Sequence, residues 1–449
     1  MIRMRGNILF LMPFVLLAFT QCGFTVGPRT RGAVDSSDGV VPVDASTPTE
    51  AQTSTTTSPH EAPSPVVGQP PPPPPVFPPP PPPVFPPPPP PPPAPIAISA
   101  GYYHTCGILQ GAAQCWGQGA SYQLGNGSSA DSNVPVQVSG LTSNVSFIAA
   151  GLAHSCAVVG GAAKCWGWNY WGQLGNNTTT SASTPVQVSG LTSGVTAIAT
   201  GFYHTCAVVN GAAKCWGDNS GRLGNSSANN SSTPVQVTGL TSGVTAITIG
   251  QNHSCALVNG GVKCWGDNRE GQLGNDSTAS TLAPVQVTGL TSNVRAIATG
   301  SNGFHNCALV SGGVKCWGWN YGGQLGNNST NLSLVPVPVQ NLPGPVTAIS
   351  AGYVSSCAVV NGQAWCWGKN VFDVRFGGGA LGNGGTQDAL IPTTPVKNLS
   401  GVTAITGGYF SFTCAVANTH GYCWGNNTLG ALGSGNNQST NEPVPVTNF

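Results

Sequence analysis

Apolar positions in this chain come in short runs of four to six residues, separated by stretches of Ser, Thr, Asn and Gly, and no helical period of useful length appears. Residues 201–225, G-F-Y-H-T-C-A-V-V-N-G-A-A-K-C-W-G-D-N-S-G-R-L-G-N, set the pattern. Two β-rich runs flank Asn210-Gly211. That pair suits a two-residue type I′ turn, in which both central residues need φ > 0. Counting outward, Val209 faces Ala212, Val208 faces Ala213, Ala207 faces Lys214 and Cys206 faces Cys215. The cysteines fall at a non-hydrogen-bonded pair, with Cα atoms roughly 4.5 Å apart. A disulfide spans roughly 4.4–6.8 Å, so the register predicts a cross-strand bridge.

The unit recurs seven times. The first three copies pair Cys106 with Cys115, Cys156 with Cys165 and Cys206 with Cys215. The next four pair Cys255 with Cys264, Cys307 with Cys316, Cys357 with Cys366 and Cys414 with Cys423. First cysteines are spaced by 50, 50, 49, 52, 50 and 57 residues. Six of the seven turn pairs end in glycine; the seventh has Asn418-Thr419, and its Asn-Thr-His-Gly run reads as a longer loop. Each copy offers four strands, in the third copy at 195–200, 205–209, 212–216 and 234–237. Pro234 at the start of the fourth suits an edge strand. Four short strands in about fifty residues make a propeller blade, with a core of Ala, Val, Ile and the repeated Trp.

G-x-x-H-[TS]-C-A-V-V-x-G-x-x-K-C-W-G-x-N-x-x-G-Q-L-G-N followed by P-V-Q-V-x-G-L resembles the regulator-of-chromosome-condensation repeat family, seven times over residues 96–449. The resemblance implies an all-β, seven-bladed β-propeller. Its members include a nucleotide exchange factor for a nuclear GTPase, ubiquitin-ligase modules and a secreted bacterial β-lactamase inhibitor, so the fold leaves function open. Cysteine at both hairpin positions of every copy and signs of export set this chain apart from the nuclear exchange role.

Those signs lie at the start. Arg3 and Arg5 precede a short apolar run, residues 8–20, interrupted by Pro13. This reads as an export signal over 1–22. Fifteen cysteines are seven pairs plus Cys22. Cys22 reads as the lipidated first residue of a mature lipoprotein; the alternative is a cleavage nearby that removes it. Both place the chain outside the cytoplasm, where disulfides persist. Residues 23–69, rich in Ser, Thr, Pro and Ala, are predicted to be disordered. Residues 70–95 are nearly pure proline, a polyproline II stalk of roughly 80 Å.

Charged residues are 6% of the chain and the net charge is +1, which leaves no basic footprint for nucleic acid. No nucleophile elbow, phosphate loop or zinc-protease helix is present, so an enzyme is not expected and no cofactor or metal is assigned. His104, His154, His204, His253 and His305 precede the cysteines at H-x-C spacing, but the sixth and seventh copies carry Ser355 and Phe412 there. Structural hydrogen bonding is the expectation for these histidines.

The loops after C-W-G carry the most varied chemistry. They hold Trp168, Tyr170 and Trp171 in copy two, Arg222 in copy three, Arg269 in copy four, and Trp319 and Tyr321 in copy five. Copy six inserts Phe372, Asp373 and Arg375. Aromatics with an occasional arginine are the residue types of interface hot spots. In a closed ring these loops share one rim. Closure is expected to seat residues 444–446 against the first copy, near 96–99 or 106–109. The expectation is a monomeric, envelope-exposed module that recognises a protein, peptide or glycan outside the cytoplasm and meets membrane only through a lipid anchor. A secreted-enzyme inhibitor is the alternative.

Overall fold

The computed structural model describes residues 97–449 except 301, 302, 312, 371–376 and 378. The export signal, Cys22, the 23–69 segment, the 70–95 proline tract and the copy-six insert residues Phe372, Asp373 and Arg375 lie outside the described residues.

Seven antiparallel sheets follow one another in chain order, each built from one continuous copy. We number these blades one to seven: 97–137, 145–187, 195–236, 244–286, 294–338, 346–368 and 402–445. Within a blade the strands run in order from the inside out. Successive inner strands are neighbours around the axis, and those of blades seven and one close the ring. The chain is a seven-bladed β-propeller.

The turn-dictated register holds in every copy. Cys206 is opposite Cys215, with Val209 opposite Ala212 next to the turn. Asn210 and Gly211 have φ of 50° and 78°. All seven disulfides form within blades, with the partners that register predicts. In blades one to three Cys106 bonds Cys115, Cys156 bonds Cys165 and Cys206 bonds Cys215. In blades four to seven Cys255 bonds Cys264, Cys307 bonds Cys316, Cys357 bonds Cys366 and Cys414 bonds Cys423. One detail differs from expectation. The Cα atoms lie 4.0 Å apart in the third blade, closer than the generic antiparallel spacing.

Three further expectations need correction. The seventh turn is not lengthened: Ala417 is opposite His420, so Asn418 and Thr419 alone make it, with φ of 49° and 66°. The hairpin register imposes two residues even where the second is β-branched. The fourth strand starts earlier than predicted, at Ser231, and Pro234 sits within it beside a register shift. An outermost strand tolerates the missing N–H. Among the described residues, blade six forms a sheet of three strands. Its outer segment is three residues longer from Asn383 to Pro395 than from Asn225 to Pro234, and only the bridges Trp365–Pro395 and Gly368–Ala389 remain.

The core lies between blades. One cluster joins Cys206, Val208, Cys215 and Leu223 of blade three to Val244, Ile247, Ala256 and Trp265 of blade four. The repeated tryptophan explains the Gly of L-G-N. At Gly224 (φ 66°) a Cβ would stand 2.6 Å from the Trp265 Nε1. That N–H donates to the carbonyl of Arg222 in the preceding blade. The residue after each H-x-C histidine position donates to the same carbonyl: Thr205 to Gln173 and Ser356 to Gln324. The histidines are fully buried and bond forward to this residue in the next blade, His154 Nε2 to Thr205 Oγ1 at 2.9 Å and His305 Nε2 to Ser356 Oγ at 2.7 Å. They are therefore blade-to-blade rivets, as expected.

The same bonds close the ring. Thr105 and Trp116 of blade one donate to the carbonyl of Ala431 in blade seven. Tyr409 N bonds Gly101 O, and Gly435 N bonds Asn133 O. Val444 and Val446 pack in one cluster with Ile98, Leu109 and Trp116. The contact is face to face, because the outer strand of blade seven pairs with its own third strand.

Candidate functional site

The rim is built from two kinds of turn. His204, which starts the second strand, is opposite Gly217, which ends the third. The G-x-x-H turns and the loops after C-W-G therefore leave the sheet at the same end. The asparagine of C-W-G-x-N holds the second loop in shape. Asn169 Oδ1 accepts from Leu174 N at 2.8 Å, while its Nδ2 donates to the carbonyls of Thr178 and Thr180. Asn219, Asn268 and Asn320 do the same in blades three, four and five. With the asparagine fixed inward, its flanking residues are displayed: Trp168 and Tyr170 in blade two, Trp319 and Tyr321 in blade five.

These two sets are joined by residues that sequence reasoning passed over, the x-x positions of G-x-x-H. Tyr102 stacks on Tyr409 at 4.2 Å, and Tyr353 lies 4.2 Å from Tyr409 on its other side. Phe202 contacts both Tyr102 and Tyr409, at 5.8 and 5.9 Å. Blades one, three and seven are not all neighbours, so these rings meet over the mouth of the axial channel. Blade two carries no aromatic at the matching positions, which are Leu152 and Ala153. Burial pushes the Tyr409 hydroxyl well above its usual range, with Tyr353 and Tyr102 adding to it. The signal was readable, since aromatic pairs precede the histidine position in copies one, three and seven.

From this cap the band extends both ways. Tyr203 links it to Trp168 at 5.8 Å and Trp171 at 6.5 Å. Tyr353 links it to Trp319 at 5.7 Å. Tyr170 and Tyr321 end the band and are 64% and 66% exposed. Trp168, Trp171 and Trp319 are half-buried. The expected aromatics of copies two and five are thus brought onto one surface.

Between blades two and three the band borders a shallow concavity of about 490 Å³, lined by Trp168, Tyr170, Trp171, Tyr203, Asp218 and Arg222. Arg222 is mostly buried, paired with Asp218 and donating to Asn252 Oδ1 at 2.8 Å. Burial pulls its guanidinium below the ordinary value, with Asp267 opposing. Arg222 occupies the place that Gln173 and Gln272 take in blades two and four, so it is part scaffold and part surface. Arg269 stands apart from the concavity. Its guanidinium is exposed and bonds Asp267 through Nε at 3.0 Å and Nη2 at 3.0 Å. Burial raises the Asp267 carboxyl, but the bonds from Arg269 outweigh it and leave the pKa lowered.

A model of the RCC1-like domain matches residues 141–449. The chain belongs to the RCC1-like domain family. A single regulator of chromosome condensation (RCC1) repeat also matches residues 110–158. Among solved structures, this RCC1-like chain is similar to human WBSCR16, with 23% identity and a TM-score of 0.64 over 74% of this chain and 92% of that one. It is similar to yeast RCC1 (Prp20) bound to Kap60, with 22% identity and a TM-score of 0.63 over 79% and 84% of the two chains. At these identities the likeness is one of fold. Among curated proteins, none matches the chain.

Proposed function

We propose that this RCC1-like propeller is an exported, non-catalytic binding module that recognises a partner outside the cytoplasm through its aromatic rim. The observation that carries this reading is the pair Tyr170 and Tyr321, large rings about two-thirds in water at the two ends of a continuous aromatic band. Exposed rings backed by packed ones are pre-organised for association, because little conformational freedom is lost on binding. Half-buried Trp168, Trp171 and Trp319 support the exposed pair and exclude water beneath it.

Seven disulfides within the blades suit an oxidising compartment. Lipidation at Cys22 would tether the propeller, and residues 23–95 would hold it away from the membrane. The low charge argues for a neutral partner surface rather than a nucleic acid. The test is affinity capture from envelope extract with the wild-type chain and with the double variant Tyr170→Ala, Tyr321→Ala. The reading expects a partner captured by the first and lost by the second at equal melting temperature. Equal capture by both would remove it.

A further inference from the structure

The concavity between blades two and three combines features that select one ligand chemistry. Resting on the reading of this rim as a recognition surface, we propose that it binds a neutral polyol, a sugar residue of an oligosaccharide. The C–H face of the sugar lies against Trp168 and Tyr170, and its hydroxyls meet Asp218, Ser220 and Arg222.

The walls are aromatic: Trp168 and Tyr170 are stacked within 10° of parallel with centroids 6.1 Å apart, and Tyr203 meets Trp171 edge-on at 6.5 Å. Such faces take up the apolar side of a sugar ring without a deep pocket. At the base the chemistry changes. Asp218 is 8% exposed and paired with Arg222. The pair has no net charge, so it offers nothing to an ionic ligand. It does set a carboxylate acceptor beside a guanidinium donor, and Ser220 adds a hydroxyl to the lining. A vicinal diol presents one donor and one acceptor side by side and matches that arrangement.

A proline-rich peptide also suits aromatic grooves, but its backbone offers acceptors only and adds no donor to the one that Arg222 gives the Asp218 carboxylate. An anion gains no net attraction from the neutral Asp218–Arg222 pair. The volume of about 490 Å³ lies within the range of small-molecule sites. Arg222 is held from behind by Asn252 Oδ1, at 3.2 Å from Nε and 2.8 Å from Nη2, which fixes the donor before any ligand arrives.

The experiment titrates the full chain with maltotriose, cellotriose and N,N′,N″-triacetylchitotriose, read by calorimetry and by tryptophan fluorescence. A sialylated trisaccharide and a deca-proline peptide are the other arms. The expected result is binding of at least one neutral trisaccharide, with a fluorescence change, weakened about tenfold by Tyr170→Ala and by Asp218→Asn. Ser220→Ala replaces Asp218→Asn if that variant does not fold. The proposal is overturned if no neutral trisaccharide binds, if the variants bind like wild type, or if only the anionic sugar or the peptide binds. Should the saccharides fail while the double variant Tyr170→Ala, Tyr321→Ala still loses the envelope partner, the sugar chemistry falls and the rim remains the recognition surface.

Discussion

The ring of Phe449 fills the space that a side chain on Gly107 would need: a Cβ there would lie 2.3 Å from Phe449 Cζ. A Cβ on Gly421, in Phe449's own blade, would lie 2.6 Å from Cδ1 of the same ring. At four of the other six seams the three corresponding positions are Ala, Leu and Ala, as in Ala213, Leu240 and Ala256 against Trp265, and in the remaining two Val262 or Val314 takes the first place. Where blade seven meets blade one, leucine has become phenylalanine and both alanines have become glycine, against Trp116. This seam closes the ring with its own complementary packing.

Gly107→Ala should therefore destabilise the whole propeller by about 1–3 kcal/mol through overpacking. Phe449→Leu in the same chain should recover most of that loss, although alone it leaves a cavity. A double-mutant cycle by urea unfolding measures the coupling. Additive effects would show that the two sites do not share this space.

Thr419 holds φ of 66° in a turn whose second residue is glycine in the other six copies. A β-branched residue there is strained by about 1–2 kcal/mol. Thr419→Gly should raise the unfolding midpoint, less the extra chain entropy of glycine. A lowered midpoint would mean that the Thr419 hydroxyl, which donates to Asn418 O at 2.6 Å, outweighs the strain.

Burial pulls the imidazoles of His104, His154 and His305 down to about 3, and that of His253 to about 4 with a partly opposing bond from Asn306. The unfolded chain takes up these protons near pH 6.5, and the folded chain does not until pH 3–4. Stability is therefore full above about pH 7.5 and falls as pH drops from 6.5 toward 4, by up to about 1.4 kcal/mol per histidine per pH unit. Chemical denaturation at pH 7.5, 6 and 5 should show that slope, and His154→Gln should reduce it by about one proton. A flat profile would mean that the rings are not buried and neutral.

Anchoring and redox state are checked together by mass spectrometry of the non-reduced mature protein. Seven links within copies and a lipidated Cys22 are expected, and Cys22→Ser should release the chain from the membrane fraction. An unlipidated, soluble wild type would contradict the anchor.

Much of this fold was legible because it is local. The turn at Asn210-Gly211 fixes the hairpin register, the register sets Cys206 against Cys215, and the repeat multiplies both seven times. The rim was half legible. Trp168, Tyr170, Trp319 and Tyr321 stand out in loops, but Tyr102, Phe202, Tyr353 and Tyr409 gain meaning only when distant blades bring them over one axis. No spacing along the chain announces a contact between blades one and three. The shortened sheet of blade six also escaped sequence reading, since Pro395-Val396 keeps the motif while the longer approach to it removes the pairing. Arg222 looked like a free hot-spot residue, yet its carbonyl carries the rivet that Gln173 carries one blade earlier.

The central claim is that partners meet the aromatic rim, and site-specific photo-crosslinking tests it most directly. A benzophenone side chain replaces Tyr170 or Tyr321 on that rim, or Asn210 on the opposite end of the sheets, and cells are irradiated with the chain in its native compartment. The account predicts discrete crosslinked products from positions 170 and 321 and none from 210. Crosslinks from position 210 alone, with 170 and 321 silent, would contradict it.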